Sequence, residues 1–172
     1  GFSYKETIAS GCRAAAHGGY TAVCTMPNVF PAPDSLDSLR QQLAIVEKQA
    51  TIGIYPYGTI TAGQKGECLS RMEELAPLVI GFSDDGRGVQ QESLMRQAMR
   101  KAQQLGRPIV AHCEDNALVR GGYIHDGAYA AAHGHRGIPG ESEWGQLKRD
   151  LELVRQTGCA YHACHLSTAE SV

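Results

Sequence analysis

The residues with most chemistry to offer fall in four short stretches: Thr25-Met26-Pro27-Asn28, Ser83-Asp84-Asp85-Gly86, His112-Cys113-Glu114-Asp115 and His162-Ala163-Cys164-His165. Each closes an apolar run of strand character, and in parallel α/β folds ligands bind where the strands end. An aspartate and two histidines arriving from separate strands form a donor set for zinc or a similar divalent metal. Plainer readings stand beside this one. Asp84 and Asp85 before Gly86 also have turn composition. His112 ends an apolar strand, where an unpaired polar ring is costly to bury. His162 and His165 are three positions apart, so strand alternation sends them to opposite faces, and His165 is the better candidate because it lies nearer the strand end. His133-Gly134-His135 has the spacing of a metal-binding pair but follows no strand and reads as solvated loop. Cys113 and Cys164 adjoin histidines, yet neighbours along a strand point apart, which argues against a thiolate–imidazole nucleophile. The stretch from Gly86 through Gly88 to Gln91 lacks the third glycine of a dinucleotide fingerprint and reads as a turn.

The elements that must position these residues follow from periodicity. Ser3-Tyr4-Lys5-Glu6 has capping-box spacing and predicts a helix start there, carried on by Ile8, Cys12, Ala15 and Ala16 until Gly18-Gly19. Residues 20–24 read as strand. Leu36, Leu39, Leu43 and Val46 share one helix face, and 51–60 read as the next strand. Leu69, Met72 and Leu75 predict a short helix before an apolar run at 78–82 that suits a buried strand. Leu94, Ala98, Ala102 and Leu105 mark a helix ended by Gly106, with strand at 108–111. Trp144, Leu147, Leu151 and Val154 mark the last helix, stopped by Gly158, and 159–164 read as strand. Alternation of helices with apolar strands predicts a parallel α/β sheet with right-handed crossovers in a single domain, 1–172. The polar, glycine-interrupted segment at about 114–142 reads as a functional or mobile loop.

Composition narrows the function. The 172 residues carry 16 Lys+Arg against 18 Asp+Glu, a formal charge of −2. No strong positive field exists to hold nucleic acid. A hydrophobic fraction of 42% excludes a disordered chain. No apolar run reaches 18 residues and no signal-peptide pattern opens the chain, so neither membrane insertion nor secretion is expected. Six cysteines without a CxxC pair fit a reducing cytoplasm.

Taken in order, Met26-Pro27-Asn28, Phe82-Ser83-Asp84-Asp85-Gly86, Val110-Ala111-His112-Cys113-Glu114-Asp115 and Tyr161-His162-Ala163-Cys164-His165-Leu166-Ser167-Thr168 resemble the signature stretches of dihydroorotases, within the amidohydrolase superfamily. Gly137-Ile138-Pro139 and Arg149-Asp150 also resemble family segments, so the similarity covers nearly the whole chain. The resemblance implies part of a (β/α)8 TIM-type barrel, about strands 2 to 6. It implies a pair of Zn2+ ions and the reversible interconversion of N-carbamoyl-L-aspartate and L-dihydroorotate in pyrimidine biosynthesis. Asp85 would be the metal-bridging carboxylate, His112 and His165 ligands of one zinc, and Asn28 a contact to the substrate carboxylate. Related hydantoinases and allantoinases bridge their metals with a carboxylated lysine on strand four, whereas no lysine occurs here between Lys65 and Lys101. A hydantoinase-like ureide hydrolase and a non-catalytic scaffold of the same fold remain alternatives.

The resemblance also predicts what residues 1–172 lack. Gly1 matches the glycine of a Pro-Gly pair that follows the family's His-x-His-x-Arg motif, and the family's catalytic aspartate would fall beyond Val172. Residues 1–172 alone are therefore expected to be inactive. The strand edges beside residues 20 and 159 should be covered by further chain or by a partner, and homo-oligomerisation is left open.

Overall fold

The first helix starts one turn later than its sequence predicts. The computed structural model describes residues 2–172, so Gly1 lies outside the described residues. Ser3 does not cap a helix: α1 spans Ile8–His17 with Thr7 as its cap. Thr7 Oγ1 accepts from the Ser10 N–H at 3.1 Å, and Ser10 Oγ accepts from the Thr7 N–H at 3.0 Å. Glu6, the partner expected for Ser3, turns forward to the Ser10 hydroxyl.

Beyond that correction the elements follow the predicted alternation. They run β1 (Ala22–Thr25), α2 (Leu36–Gln49), β2 (Gly53–Thr59), α3 (Met72–Leu75), β3 (Gly81–Ser83), α4 (Glu92–Gln104) and β4 (Ile109–Ala111). After the long connection come α7 (Glu141–Thr157) and β7 (Tyr161–Ala163). The apolar run at 78–82 is less strand than expected. Leu78 N–H closes a turn onto Leu75 O at 2.9 Å, and the ladder with β2 begins at Gly81.

The sheet is parallel throughout, in the order β1-β2-β3-β4-β7. A doubly wound sheet must reverse its strand order at a switch point, and this order never does. It is the order of a barrel, and the chain forms part of a (β/α)8 barrel. Leu39, Met72, Leu75, Met95, Met99 and Leu153, all fully buried, pack the helices against the strands, with Phe82 and Ile109 beneath them. All strand C-termini therefore open on one rim.

The connection at 114–142 is more structured than its composition suggests. It holds α5 (Asn116–Val119), β5 (Ile124–His125), α6 (Ala128–His133) and β6 (Gly137–Ile138), with β5 and β6 paired in parallel. The backbones are too close for side chains at two points: a Cβ on Gly122 would lie 2.5 Å from Gly137 O, and one on Gly137 2.5 Å from Asp126 Cα. Those glycines are what the small sheet requires.

Candidate metal centre

The turn after β3 separates its two aspartates. Asp84 points into the protein, where its carboxylate accepts the Ile60 N–H at 2.8 Å, the Thr61 N–H at 3.2 Å and the Thr61 hydroxyl. Burial pushes its carboxyl up to about 6, against the pull of those donors. Asp84 thus ties the loop after β2 to the loop after β3. Asp85 faces the other way. Its N–H donates to Ser83 Oγ at 3.1 Å, and its carbonyl accepts from Gln64 Nε2 at 3.3 Å. That leaves the carboxylate free to project over the rim.

His112 arrives directly from the end of β4. His165 comes from two residues past β7, and its backbone sits in the left-handed region at φ 38°. That turn breaks the strand alternation. His162 stays exposed on the strand, while His165 swings its ring onto His112, with Nε2 2.9 Å from His112 Nδ1 and the rings edge to face. Asp85 Oδ1 lies 3.8 Å from His112 Nδ1 and 3.6 Å from His165 Nε2. The ligand-capable atoms of all three residues fall within 4.8 Å of one another. Asn28, in the loop after β1, donates Nδ2 to Asp85 Oδ2 at 2.8 Å. The structure therefore brings together Asn28, Asp85, His112 and His165.

The donor set fits a cation. Tetrahedral ligands about 2.0–2.1 Å from zinc sit roughly 3.3 Å apart, and the triangle of 2.9, 3.6 and 3.8 Å brackets that spacing. Beside Asp85 opens a cavity of about 640 Å³ whose wall includes Asn28, Gln64, Lys65 and Arg87.

The other candidates are spent elsewhere. His133 and His135 stack with Tyr129, and their Nδ1 atoms bond the Tyr129 carbonyl at 2.9 Å and the Tyr123 hydroxyl at 2.7 Å. Cys113 is buried 3.3 Å from the Tyr161 hydroxyl, and burial pushes its thiol up to about 11, unsuited to a nucleophile. Burial likewise raises the Cys164 thiol, helped by the Asp85 charge. Gly86 and Gly88, with φ of 81° and 62°, are turn glycines.

Residues given no role by the sequence, Glu143 unnoticed and Arg149-Asp150 noted only as a family-like stretch, hold the rim in place. Glu143, in the first turn of α7, accepts from the backbone N–H and hydroxyl of both Ser167 and Thr168 and from the Ser171 hydroxyl. Burial alone would raise its carboxyl, but these donors outweigh it and hold it at about 2. Arg149 pairs with buried Asp150 at 2.7 Å and donates to the carbonyls of Val89 and Gln90, each at 2.9 Å. Asp150 also accepts the Tyr161 hydroxyl at 2.9 Å.

A family model described as dihydro-orotase-like matches residues 1–171. The chain belongs to this family. It is 49% identical over 172 residues to a dihydroorotase of Fusobacterium nucleatum subsp. nucleatum, and 47% identical over 173 residues to one of Staphylococcus epidermidis. Each match takes in this whole chain, which spans 40% and 41% of those relatives' lengths. Among solved structures, an L-hydantoinase (dihydropyrimidinase) from Arthrobacter aurescens aligns with 95% of this chain and 38% of its own, at a TM-score of 0.74 and 18% identity. A D-hydantoinase (dihydropyrimidinase) from Thermus sp. aligns with 96% of this chain and 38% of its own, at 0.70 and 21%. At such identity the hydantoinases establish the barrel for this dihydro-orotase-like chain and say nothing of its substrate.

Proposed function

We propose that this chain carries one side of the active site of a cytoplasmic, zinc-dependent dihydroorotase, which interconverts L-dihydroorotate and N-carbamoyl-L-aspartate in pyrimidine synthesis. The observation that carries the reading is the triangle of Asp85, His112 and His165 beside a cavity, in a chain close to half identical to proteins named dihydroorotase. His112 and His165 would hold one zinc through Nδ1 and Nε2, and Asp85 would bridge to a second. Bound zinc would supply Lewis acidity toward the ring amide and acidify water toward neutral pH.

The chain's own residues have separate tasks. Asp85 must stay ionised and aimed, which the Asn28 amide assists by donating to Oδ2. An asparagine amide has two N–H bonds, so Asn28 can keep one on Asp85 and offer the other to the substrate carboxylate. Lys65 and Arg87 on the cavity wall add positive charge where an acidic substrate would lie.

The test uses full-length protein with dihydroorotate and hydantoin as competing substrates, alongside zinc content. Dihydroorotate turnover, lost together with zinc in Asp85→Asn, His112→Ala and His165→Ala, is the expected result. Turnover of hydantoin alone would overturn the substrate, and full zinc occupancy in all three variants would overturn the metal ligands.

A further inference from the structure

His112 is committed on one side of its ring and unsatisfied on the other. Nδ1 faces His165 Nε2 and Asp85 Oδ1, while Nε2 is buried and has no hydrogen-bond partner among the described residues. A neutral imidazole carries a single proton. If Nδ1 holds a cation, that proton must sit on Nε2, on the buried side, where an unmet N–H is costly. The carboxylate facing that atom is Glu114, with Oε2 3.7 Å away. That is longer than a hydrogen bond, and a side-chain shift of less than an ångström would close it.

We propose that Glu114 is the positioning residue for His112. Its carboxylate takes the Nε2–H and so fixes the ring with Nδ1 toward Asp85 and His165. The inference rests on the metal reading above. Histidines that ligate metals generally donate their second N–H to a carboxylate or carbonyl, which sets both tautomer and orientation.

The backbone shows why Glu114 can do this. Its N–H donates to Gln146 Oε1, and its carbonyl accepts from Gln90 Nε2 at 2.9 Å. Gln146 is itself buried and donates to Val89 O at 3.0 Å, while Gln90 Oε1 accepts the Asn116 N–H at 3.0 Å. The side chain therefore springs from a point clamped by two glutamines. With 32% of it exposed, water can solvate the carboxylate while one oxygen serves the ring.

The test compares wild type, Glu114→Ala, Glu114→Gln and His112→Ala in the full-length protein. Zinc affinity is read by competition with a chromophoric chelator, and the His112 tautomer by 15N imidazole spectra of the zinc-loaded protein. Glu114→Ala should weaken zinc binding by about 10- to 100-fold and blur the tautomer. Glu114→Gln, which retains an acceptor oxygen, should fall between Ala and wild type. A purely structural glutamate would shift the melting temperature and leave affinity and tautomer alone, and that result overturns the proposal while zinc loss in His112→Ala keeps the metal reading intact. Zinc binding by His112→Ala at wild-type strength overturns the metal reading itself. If the alanine variant does not fold, Glu114→Met, similar in length but without an acceptor, carries the same readouts.

Discussion

The two histidines of the rim have the same chemistry and opposite supports. His112 leaves a strand paired on both sides, by β3 and β7. Its ring is 19% exposed, and the chain after it is held by Gln90 and Gln146. His165 follows the last strand in the sheet order, in a left-handed conformation, with its side chain 51% exposed. One carboxylate, Glu143, gathers the turn that carries it. The sheet interior positions one ligand candidate and a single surface-side anchor positions the other. Helix α7 contributes to both sides: Glu143 gathers the turn of His165, Gln146 and Arg149 reach the backbone of Glu114, Val89 and Gln90, and Asp150 takes the Tyr161 hydroxyl of β7. Failure on the His112 side should spread through the fold, and failure on the His165 side should stay local.

Gly88→Ala is the largest expected break on the His112 side. Gly88 has φ +62°, and a Cβ there would meet His112 O at 2.8 Å and Gln146 Oε1 at 3.2 Å. Left-handed strain plus a clash with backbone should cost about 2–4 kcal/mol, seen in denaturant unfolding as a lower midpoint with an unchanged slope. Glu143→Ala should cost less, about 2 kcal/mol for a charged acceptor of several hydrogen bonds. Hydrogen exchange should then show protection lost at 167–171 and kept at 109–113. Protection lost equally in both stretches would erase the distinction between the two supports.

The ligand candidates were legible and their supports were not, for a physical reason. Asp85, His112 and His165 close apolar runs, and a polar residue after such a run is conspicuous because burial would otherwise penalise it. Glu143 lies in the first turn of a helix, where an acid is expected for the dipole alone. Its partners, Ser167 and Thr168, come more than twenty residues later, and no periodicity connects them. Gln90 and Gln146 are ordinary polar residues until the fold sets both on Glu114. The parallel α/β alternation was legible from periodicity, whereas the barrel came only with the family resemblance, because the same alternation also suits an open sheet. The small sheet at 124–138 was not, because strands of two residues and helices of four and six offer too few positions to show a period.

The smallest expected effect is a difference in pH response between two acids on α7. Glu143 is held at about 2, below its ordinary 4.5, so the unfolded chain binds its proton more readily than the folded one. Its contribution is present above about pH 4.5 and fades as pH falls toward 2. Asp150 is shifted the other way: burial raises its carboxyl above 3.8 against the pull of Arg149 and the Tyr161 hydroxyl. Its contribution is therefore full below pH 3.8 and lost as pH rises through the raised value. Stability of Glu143→Gln relative to wild type should recover as pH drops from 4.5 to 2, by about 1 kcal/mol once solvent screening is allowed for. Asp150→Asn should instead gain on wild type as pH climbs above 3.8. Urea midpoints for both pairs across pH 2 to 7 measure this directly, and parallel curves would mean that the two acids of α7 are not shifted in opposite directions.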